Sequence, residues 1–106
     1  MLRGTTPTHV FSKLPVTSDN IVSMWVSYFQ NGEEVLTKEK DSVTFTDDFE
    51  EETCIAEVHL TQEDTLLFDY GNASVQVRLL LSDDTALASD EVPICVKRII
   101  KDGIIG

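Results

Sequence analysis

Basic residues are scarce in this 106-residue sequence, which has eight lysines and arginines against 19 aspartates and glutamates. The formal net charge is therefore −11 at pH 7. A protein that binds nucleic acid presents a basic face to the phosphates, and here the single basic cluster lies in the last ten residues (Lys97, Arg98 and Lys101). The charge balance argues against nucleic acid as a partner, and an acidic surface is also repelled by anionic membranes.

Long apolar runs are missing as well. The opening MLRGTTPTHVF has an early base but lacks the apolar core of a secretory signal peptide. No stretch approaches the roughly 20 apolar residues of a membrane-spanning helix. We therefore expect synthesis in the cytoplasm and no membrane partner.

Cysteine is limited to Cys54 and Cys95, and no C-x-x-C spacing is present for a metal or redox site. Both residues lie in strand-like patterns, and a disulfide is disfavoured in the cytoplasm. The sequence thus predicts two reduced, partly buried thiols. A chain of this length can bury a core without disulfides or a metal, and no cofactor is predicted.

The apolar pattern is that of short β-strands along one domain spanning residues 1–106. Asn31-Gly32 predicts a type I′ hairpin turn, because both residues tolerate positive φ. Thr61 and Asp64 fit a capping box, which predicts one helical turn between two strands. Pro93 predicts that the last strand lies at a sheet edge or is bulged. Strands are predicted at 8–14, 21–30, 33–39, 42–46, 54–61, from 74 to a turn at 83–85, and around 92–96.

Strict alternation marks two of these segments as half-buried antiparallel strands. Parallel sheets need long crossover helices, and the sequence has none. We predict an all-β fold, an immunoglobulin-like antiparallel β-sandwich of about seven strands with one short helical turn. It differs from antibody domains because Trp25 precedes both cysteines. The inward positions are Cys54, Ala56, Val58 and Leu60 in one strand and Val75, Val77, Leu79 and Leu81 in the other.

An acidic segment, residues 47–52, is predicted to form a loop. It has five carboxylates but lacks the EF-hand spacing with its central glycine. We interpret it as a solvated turn, with a weak divalent-cation site as the alternative. The acids are Asp47, Asp48, Glu50, Glu51 and Glu52.

His9 and His59 are the two histidines, and both fall at positions predicted to face away from the core. No nucleophile elbow or other catalytic signature surrounds them. We therefore predict surface histidines and no catalytic residue. A small hydrolase or metal enzyme that uses His59 and the acidic segment is one of three functional hypotheses.

The strand at 21–30 is apolar on both faces. Alternation places Trp25 and Phe29 with Ile21 on one face, and Tyr28 on the other. Such a strand is typically central and covered on both sides. The alternative is a sheet face that presents aromatic rings to a ligand. This alternative gives the second functional hypothesis, a carbohydrate- or protein-binding module.

Three stretches resemble a group of small proteins encoded in prophages of gut Firmicutes: LRGTTPTHVF, LTQEDTLLF and VQVRLLLSDDTALASDEVPICVKRIIKDGII. Those proteins look like β-domains encoded near tail or baseplate components. Some resemble the N-terminal domain of baseplate upper proteins, which attaches a receptor-binding apparatus to the tail. The resemblance covers most of the chain, and its motifs contain no catalytic residue. It implies a non-enzymatic, virion-associated assembly protein whose partners are other virion proteins or copies of itself.

The segments at the two chain ends are the predicted interaction sites. Residues 1–6 and 101–106 are predicted to form terminal arms, and short arms beyond a sandwich can add strands to the edge of a neighbour. Asp102-Gly103 is a turn signal, after which two isoleucines have no strand pattern to join. The predicted interaction residues are Arg3, Gly4, Thr5, Thr6, Arg98, Lys101, Ile104 and Ile105.

Overall fold

The computed structural model describes residues 1–100 and 103–105, and over these residues the chain forms two antiparallel sheets packed as a sandwich. This confirms the all-β, immunoglobulin-like prediction, with eight strands in the described residues where about seven were predicted. The strands are β1 (Thr8–Leu14), β2 (Ile21–Gln30), β3 (Glu33–Glu39), β4 (Val43–Asp48), β5 (Thr53–His59), β6 (Gly71–Leu81), β7 (Ala86–Ala88) and β8 (Val92–Val96), and the helix is α1 (Gln62–Leu66).

The strand order is that of an immunoglobulin-like sandwich. The smaller sheet has the order β1-β5-β4, and the larger has β3-β2-β6. On the outer edge of β6, β8 pairs with its first half and β7 with its second half. In immunoglobulin labels these sheets are B-E-D and C′-C-F-G. The connection through α1 takes the chain from β5 in one sheet to β6 in the other.

The core lies between the sheets and is built from alternate residues of the long strands. The inward positions predicted for β5, its following residue Leu60, and β6 are all buried, so both predicted alternations are confirmed. At the α1 end, the fully buried ring of Tyr28 meets that of Phe68 edge-on, with 5.8 Å between centroids and an interplanar angle of 85°. Phe68 thereby joins the turn after α1 to the sandwich.

The turns agree with the sequence in one case and differ in another. Asn31 and Gly32 have φ values of 56° and 78°, which confirms the positive-φ hairpin turn. The predicted loop at the acidic segment is wrong in extent, because Asp47 and Asp48 continue β4 and pair with Cys54 and Thr53. The turn itself occupies only residues 49–52.

A bulge in β2 changes which residues face the core. Ile21 opposes Leu81 and Ser23 opposes Leu80, so one extra residue, Val22, lies between the two pairs. Ile21 therefore lies on the buried face of β2, and Trp25 is 48% exposed. The prediction that this strand is central is confirmed, but the prediction that both of its faces are covered is wrong.

Pro93 lies in β8, which in the described residues pairs with β6 alone among the strands. The edge position predicted from Pro93 is therefore confirmed. The cysteines are both free, as predicted, but Cys95 is exposed and only Cys54 is buried. Burial, together with Asp47, raises the pKa of the Cys54 thiol.

Candidate functional site

The first three residues pair with the backbone of Cys95 and Lys97, at the end of β8. Lys97 donates its backbone N–H to the carbonyl of Met1 at 2.7 Å, and Arg3 donates to the carbonyl of Lys97 at 3.2 Å. Leu2 thus forms a parallel bridge with Lys97. The N-terminal ammonium donates to the carbonyl of Cys95 at 2.7 Å. The start of the chain lies along its own sheet, although it was predicted to be an arm.

Arg3 and Gly4 anchor this segment to the turn after α1. The Arg3 guanidinium donates from Nε to the carbonyl of Phe68 at 2.6 Å and from Nη2 to that of Leu66 at 3.2 Å. A cation is favourable at the carbonyl end of a helix. Gly4 is buried with φ 75°, and a Cβ atom there would lie 3.1 Å from the Cδ1 atom of Ile99. Close approach and backbone conformation together favour glycine at this position.

Hydrogen bonds join the N-terminal segment to α1. The fully buried hydroxyl of Thr65 donates to the carbonyl of Thr5 at 2.9 Å, and the Thr5 hydroxyl donates to the carbonyl of Leu2 at 2.6 Å. Thr6 is exposed. These contacts hold residues 1–6 on the surface of the domain.

The predicted capping box of α1 is confirmed. Asp64 donates its backbone N–H to the Thr61 hydroxyl at 3.1 Å, and Thr61 donates its own N–H to the Asp64 carboxylate at 2.9 Å. Lys38 lies 2.9 Å from that carboxylate. Partial burial raises the pKa of Asp64, but the hydrogen bonds from Thr61 and Lys38 outweigh it, and the net pKa is lowered. The box fixes a helix too short to be stable alone.

The C-terminal segment folds back onto α1. Gln62 accepts from the backbone N–H of Ile105 at 2.8 Å and donates to its carbonyl at 3.0 Å. The Arg98 guanidinium lies 4.2 Å from the ring centroid of Tyr70. Ile104 and Ile105 are 59% and 62% exposed. Lys101, also predicted as an interaction residue, lies outside the described residues.

The two chain ends and the α1 region form one continuous surface, which we call the terminal surface (residues 1–6, 61–70, 97–100 and 103–105). Six of the thirteen large apolar side chains that are exposed in the described residues lie on it. A concentration of exposed apolar side chains is typical of an interaction site. These side chains are Leu2, Leu67, Tyr70, Ile100, Ile104 and Ile105.

Sequence reasoning found part of this surface. Of the described residues among those predicted, Arg3, Gly4, Thr5, Arg98 and Ile105 make the contacts given above, and Thr6 and Ile104 are exposed. Their role in binding another chain stays a prediction. Gln62, Leu67 and Tyr70 were missed. The available signal was the run Leu66-Leu67-Phe68, since three adjacent apolar residues after a single helical turn cannot all face the core.

Substitution of Gly4 by alanine tests whether the N-terminal segment is fixed as described. We expect Gly4→Ala to lower the free energy of unfolding by about 2 kcal/mol, because Cβ is strained at positive φ and Ile99 must also move. Gly32→Ala is the matched control, with φ 78° and open space around a Cβ, and we expect a loss of about 1 kcal/mol. Urea denaturation measures both. Equal losses would contradict the packing of Gly4 against Ile99.

His9 is not on the surface as predicted. Its ring is half-buried on the core side of β1, and its Nδ1 atom lies 2.7 Å from the Tyr28 hydroxyl. Burial, with a smaller effect of the N-terminal ammonium, lowers the pKa of His9, and burial raises the pKa of Tyr28. Both groups are therefore neutral near pH 7. The two side chains satisfy each other's hydrogen-bonding groups at the edge of the core.

The His9 contact predicts a dependence of stability on pH. Because the folded-state pKa of His9 lies below its ordinary value of 6.5, the unfolded chain binds the proton more readily. The stabilisation by neutral His9 is full above pH 6.5 and is lost as the pH falls through 6.5 toward the folded pKa. His9→Asn keeps a hydrogen-bonding group near Tyr28 but does not titrate.

Thermal melts of both proteins between about pH 7.5 and about pH 5 test this dependence. We expect the wild type to lose stability relative to His9→Asn as the pH is lowered. The carboxylates titrate in both proteins, so the difference between the two curves isolates His9. Parallel curves would contradict the assignment.

His59 is exposed, as predicted, and its Nδ1 atom lies 3.0 Å from the Thr8 hydroxyl. It closes β5, whereas the acidic segment precedes β5. Seven extended residues span about 23 Å, so the structure does not bring His59 and the acidic segment together.

Two carboxylates of the acidic segment have structural partners. Asp47 accepts from the backbone N–H and the hydroxyl of Ser18 at 2.7 and 2.6 Å. Asp48 accepts from the N–H of Glu51 at 3.2 Å. Among the described residues, no group of three or more His, Cys, Asp or Glu side chains is arranged to hold a metal ion.

The outer face of the larger sheet presents one aromatic ring. Trp25 is 48% exposed, and the Arg78 guanidinium lies 5.8 Å from its ring centroid. Ser23, Leu80 and Ala86 complete a shallow depression beside them. Of the other two aromatics proposed for a platform, Tyr28 is in the core and Phe29 is partly buried.

The sequence matches no protein-family model and no curated protein. Within the described residues, no helix has the length and apolar character needed to cross a membrane.

Proposed function

We propose that this chain is a non-enzymatic assembly module that acts through protein–protein contacts. The supporting observation is the terminal surface, where six large apolar side chains lie exposed around the two chain ends. Elsewhere the outward positions of β5 are mostly polar or charged, as in Glu57 and His59. Burial of apolar area drives most protein association, so this end of the molecule is suited to meet another chain.

The terminal surface is held in place before any partner binds. Arg3, Thr65 and Gln62 fix the two chain ends through hydrogen bonds to backbone atoms. A preorganised surface loses less conformational entropy on binding than free arms would. This favours a partner that docks against a formed surface over one that captures a flexible tail.

A place in a phage tail or baseplate is the setting that the sequence resemblance supports. Its three stretches overlap the three parts of the terminal surface, namely the chain start, the α1 region and the chain end. The partners we propose are other virion proteins or copies of this chain. The chain would be made in the cytoplasm and assembled into the particle.

Serine substitution on the terminal surface tests this function. We expect the triple variant Leu67→Ser, Ile104→Ser, Ile105→Ser to lose association with itself or with structural proteins encoded beside it, because its exposed apolar area is reduced. Sedimentation velocity on each protein and on pairwise mixtures measures the association. Val10→Ser, Val22→Ser is the matched control, since both valines are exposed elsewhere. Equal association of the triple variant and the control would contradict the proposal.

The exposure of Trp25 favours a second candidate function, a carbohydrate- or protein-binding module. An exposed ring flanked by the Arg78 guanidinium and the Ser23 hydroxyl is suited to stack against a sugar. Trp25 is the single tryptophan of the chain, so its fluorescence reports on this face alone. Quenching or a spectral shift across a glycan panel would support this function, and no response to any glycan would remove it.

A further inference from the structure

The end of the molecule opposite the terminal surface has a second exposed apolar group. Phe49, at the tip of the β4–β5 turn, is 69% exposed, and Ile55 on β5 is 38% exposed. Both line one depression, together with Lys13 and Thr46. A phenylalanine at a turn tip contributes little to the fold, so its apolar area is available to a partner.

The two surfaces lie at opposite ends of the same strand. β5 begins directly after the turn that contains Phe49 and leads directly into α1. Copies placed end to end would therefore bring the Phe49 turn of one against the terminal surface of the next. Such a contact joins two different surfaces and propagates along a chain or closes into a ring.

Head-to-tail placement brings acidic side chains of one copy near basic side chains at the chain ends of the next. The acidic segment has five acids and no base. The chain ends, residues 1–6 and 97–106, have four bases and one acid by sequence, a net charge of +3 in a molecule of −11. Residues 61–70 add Glu63, Asp64 and Asp69, of which Asp64 is paired with Lys38. These three acids balance the bases over the whole terminal surface, so its positive charge is confined to the chain ends. The exposed bases available to a neighbour include Lys97 and Arg98.

We infer that copies of this chain associate head to tail, with Phe49 and the acidic segment of one copy docked on Lys97, Arg98 and the exposed isoleucines of the next. This rests on the proposed function and names the partner and the second surface. Apolar contact supplies the affinity, and the opposite charges select the orientation. Two Phe49 ends are kept apart because their acidic segments would juxtapose charges of the same sign.

A charge exchange tests this arrangement directly. One variant has Glu50→Lys and Glu51→Lys, and the other has Lys97→Glu and Arg98→Glu. All four side chains are exposed, and the hydrogen bond of Glu51 to Asp48 uses only its backbone. We expect each variant alone to self-associate with a dissociation constant raised by more than about tenfold, because like charges then meet at the contact.

An equimolar mixture of the two variants is expected to associate about as tightly as the wild type. In the mixture the basic turn of the first meets the acidic chain end of the second, and the other contact keeps its native charges. Sedimentation velocity measures all four samples, and circular dichroism confirms that each variant is folded. Phe49→Ser is expected to weaken association without changing any charge.

The outcomes separate this inference from the proposed function. If both charge variants and Phe49→Ser associate as tightly as the wild type, the head-to-tail contact is overturned. If the serine variant of the terminal surface still loses self-association in that case, the proposal of an assembly module is supported. A wild type that remains monomeric in concentrated solution also overturns the head-to-tail contact. The mixtures with neighbouring structural proteins then decide the proposed function separately.

Discussion

Replacement of Phe68 by alanine is expected to lower the free energy of unfolding by about 3–5 kcal/mol, a larger loss than any surface substitution should cause. The side chain is fully buried, and its ring packs edge-on against Tyr28. Removing it leaves a cavity between the two sheets at the α1 end. The surrounding strands cannot collapse into that cavity without losing their pairing. The free energy of unfolding therefore falls by the lost transfer free energy of the ring and by the cost of the cavity.

Leu67→Ala is the matched control for Phe68→Ala. Leu67 is the preceding residue and is 58% exposed on the terminal surface, so we expect a change within about 0.5 kcal/mol. Urea denaturation followed by circular dichroism measures both, and a constant slope with denaturant shows that the two variants unfold from comparable states. A loss below about 1.5 kcal/mol for Phe68→Ala would contradict its place in the core.

The difference between these neighbours also shows how α1 links fold and surface. Phe68 fixes the turn after α1 to the core, and that turn positions Leu67 and Tyr70 outside it. A stable surface for another chain is thus built from residues adjacent to core residues. We expect Leu67→Ala to weaken association while leaving stability unchanged.

Strands that follow a strict two-residue period were predicted correctly from the sequence. In β5 and β6 each inward position is apolar over the whole strand, and tertiary contacts do not alter the register. The capping box was also predictable, since Thr61 and Asp64 satisfy each other locally. These features depend on neighbours within a few residues, which the sequence displays directly.

The exposure of Trp25 was not predictable from alternation, because one extra residue reverses the pattern. Counting by twos from Ile21 places Trp25 on the same face, but the bulge at Val22 shifts the register by one. A bulge depends on how β2 meets β6, which is more than 50 residues away in the sequence. Trp25 consequently lies on the immunoglobulin C strand but on its outer face.

The terminal surface depends on contacts that are even more distant in sequence. Arg3 and Phe68 are 65 positions apart, and Gln62 and Ile105 are 43 apart. The sequence indicated that the ends were unusual in charge and apolar content. It did not show that the chain start bonds Lys97 and the turn after α1, or that Ile105 bonds α1. Isolated backbone carbonyls and a buried glycine give no periodic signal.

Replacement of Arg3 by methionine is expected to lower the free energy of unfolding by about 2–3 kcal/mol, because two partly buried backbone carbonyls lose a charged donor. Methionine keeps much of the apolar stem, so the loss reports on the hydrogen bonds. Arg3→Lys should recover only part of it, since an ammonium is a point charge and cannot span both carbonyls as a guanidinium does.

Arg78→Met is the control for Arg3→Met, because the Arg78 side chain is exposed and stacks on Trp25; we expect a loss of no more than about 1 kcal/mol. Amide hydrogen exchange gives a second measurement, in which Arg3→Met should speed exchange at Lys97, whose N–H is bonded to Met1. Equal losses for the two arginines, with unchanged exchange at Lys97, would mean that Arg3 does not hold the chain start in place. In that case residues 1–6 would again be candidates for an arm that extends to a neighbour.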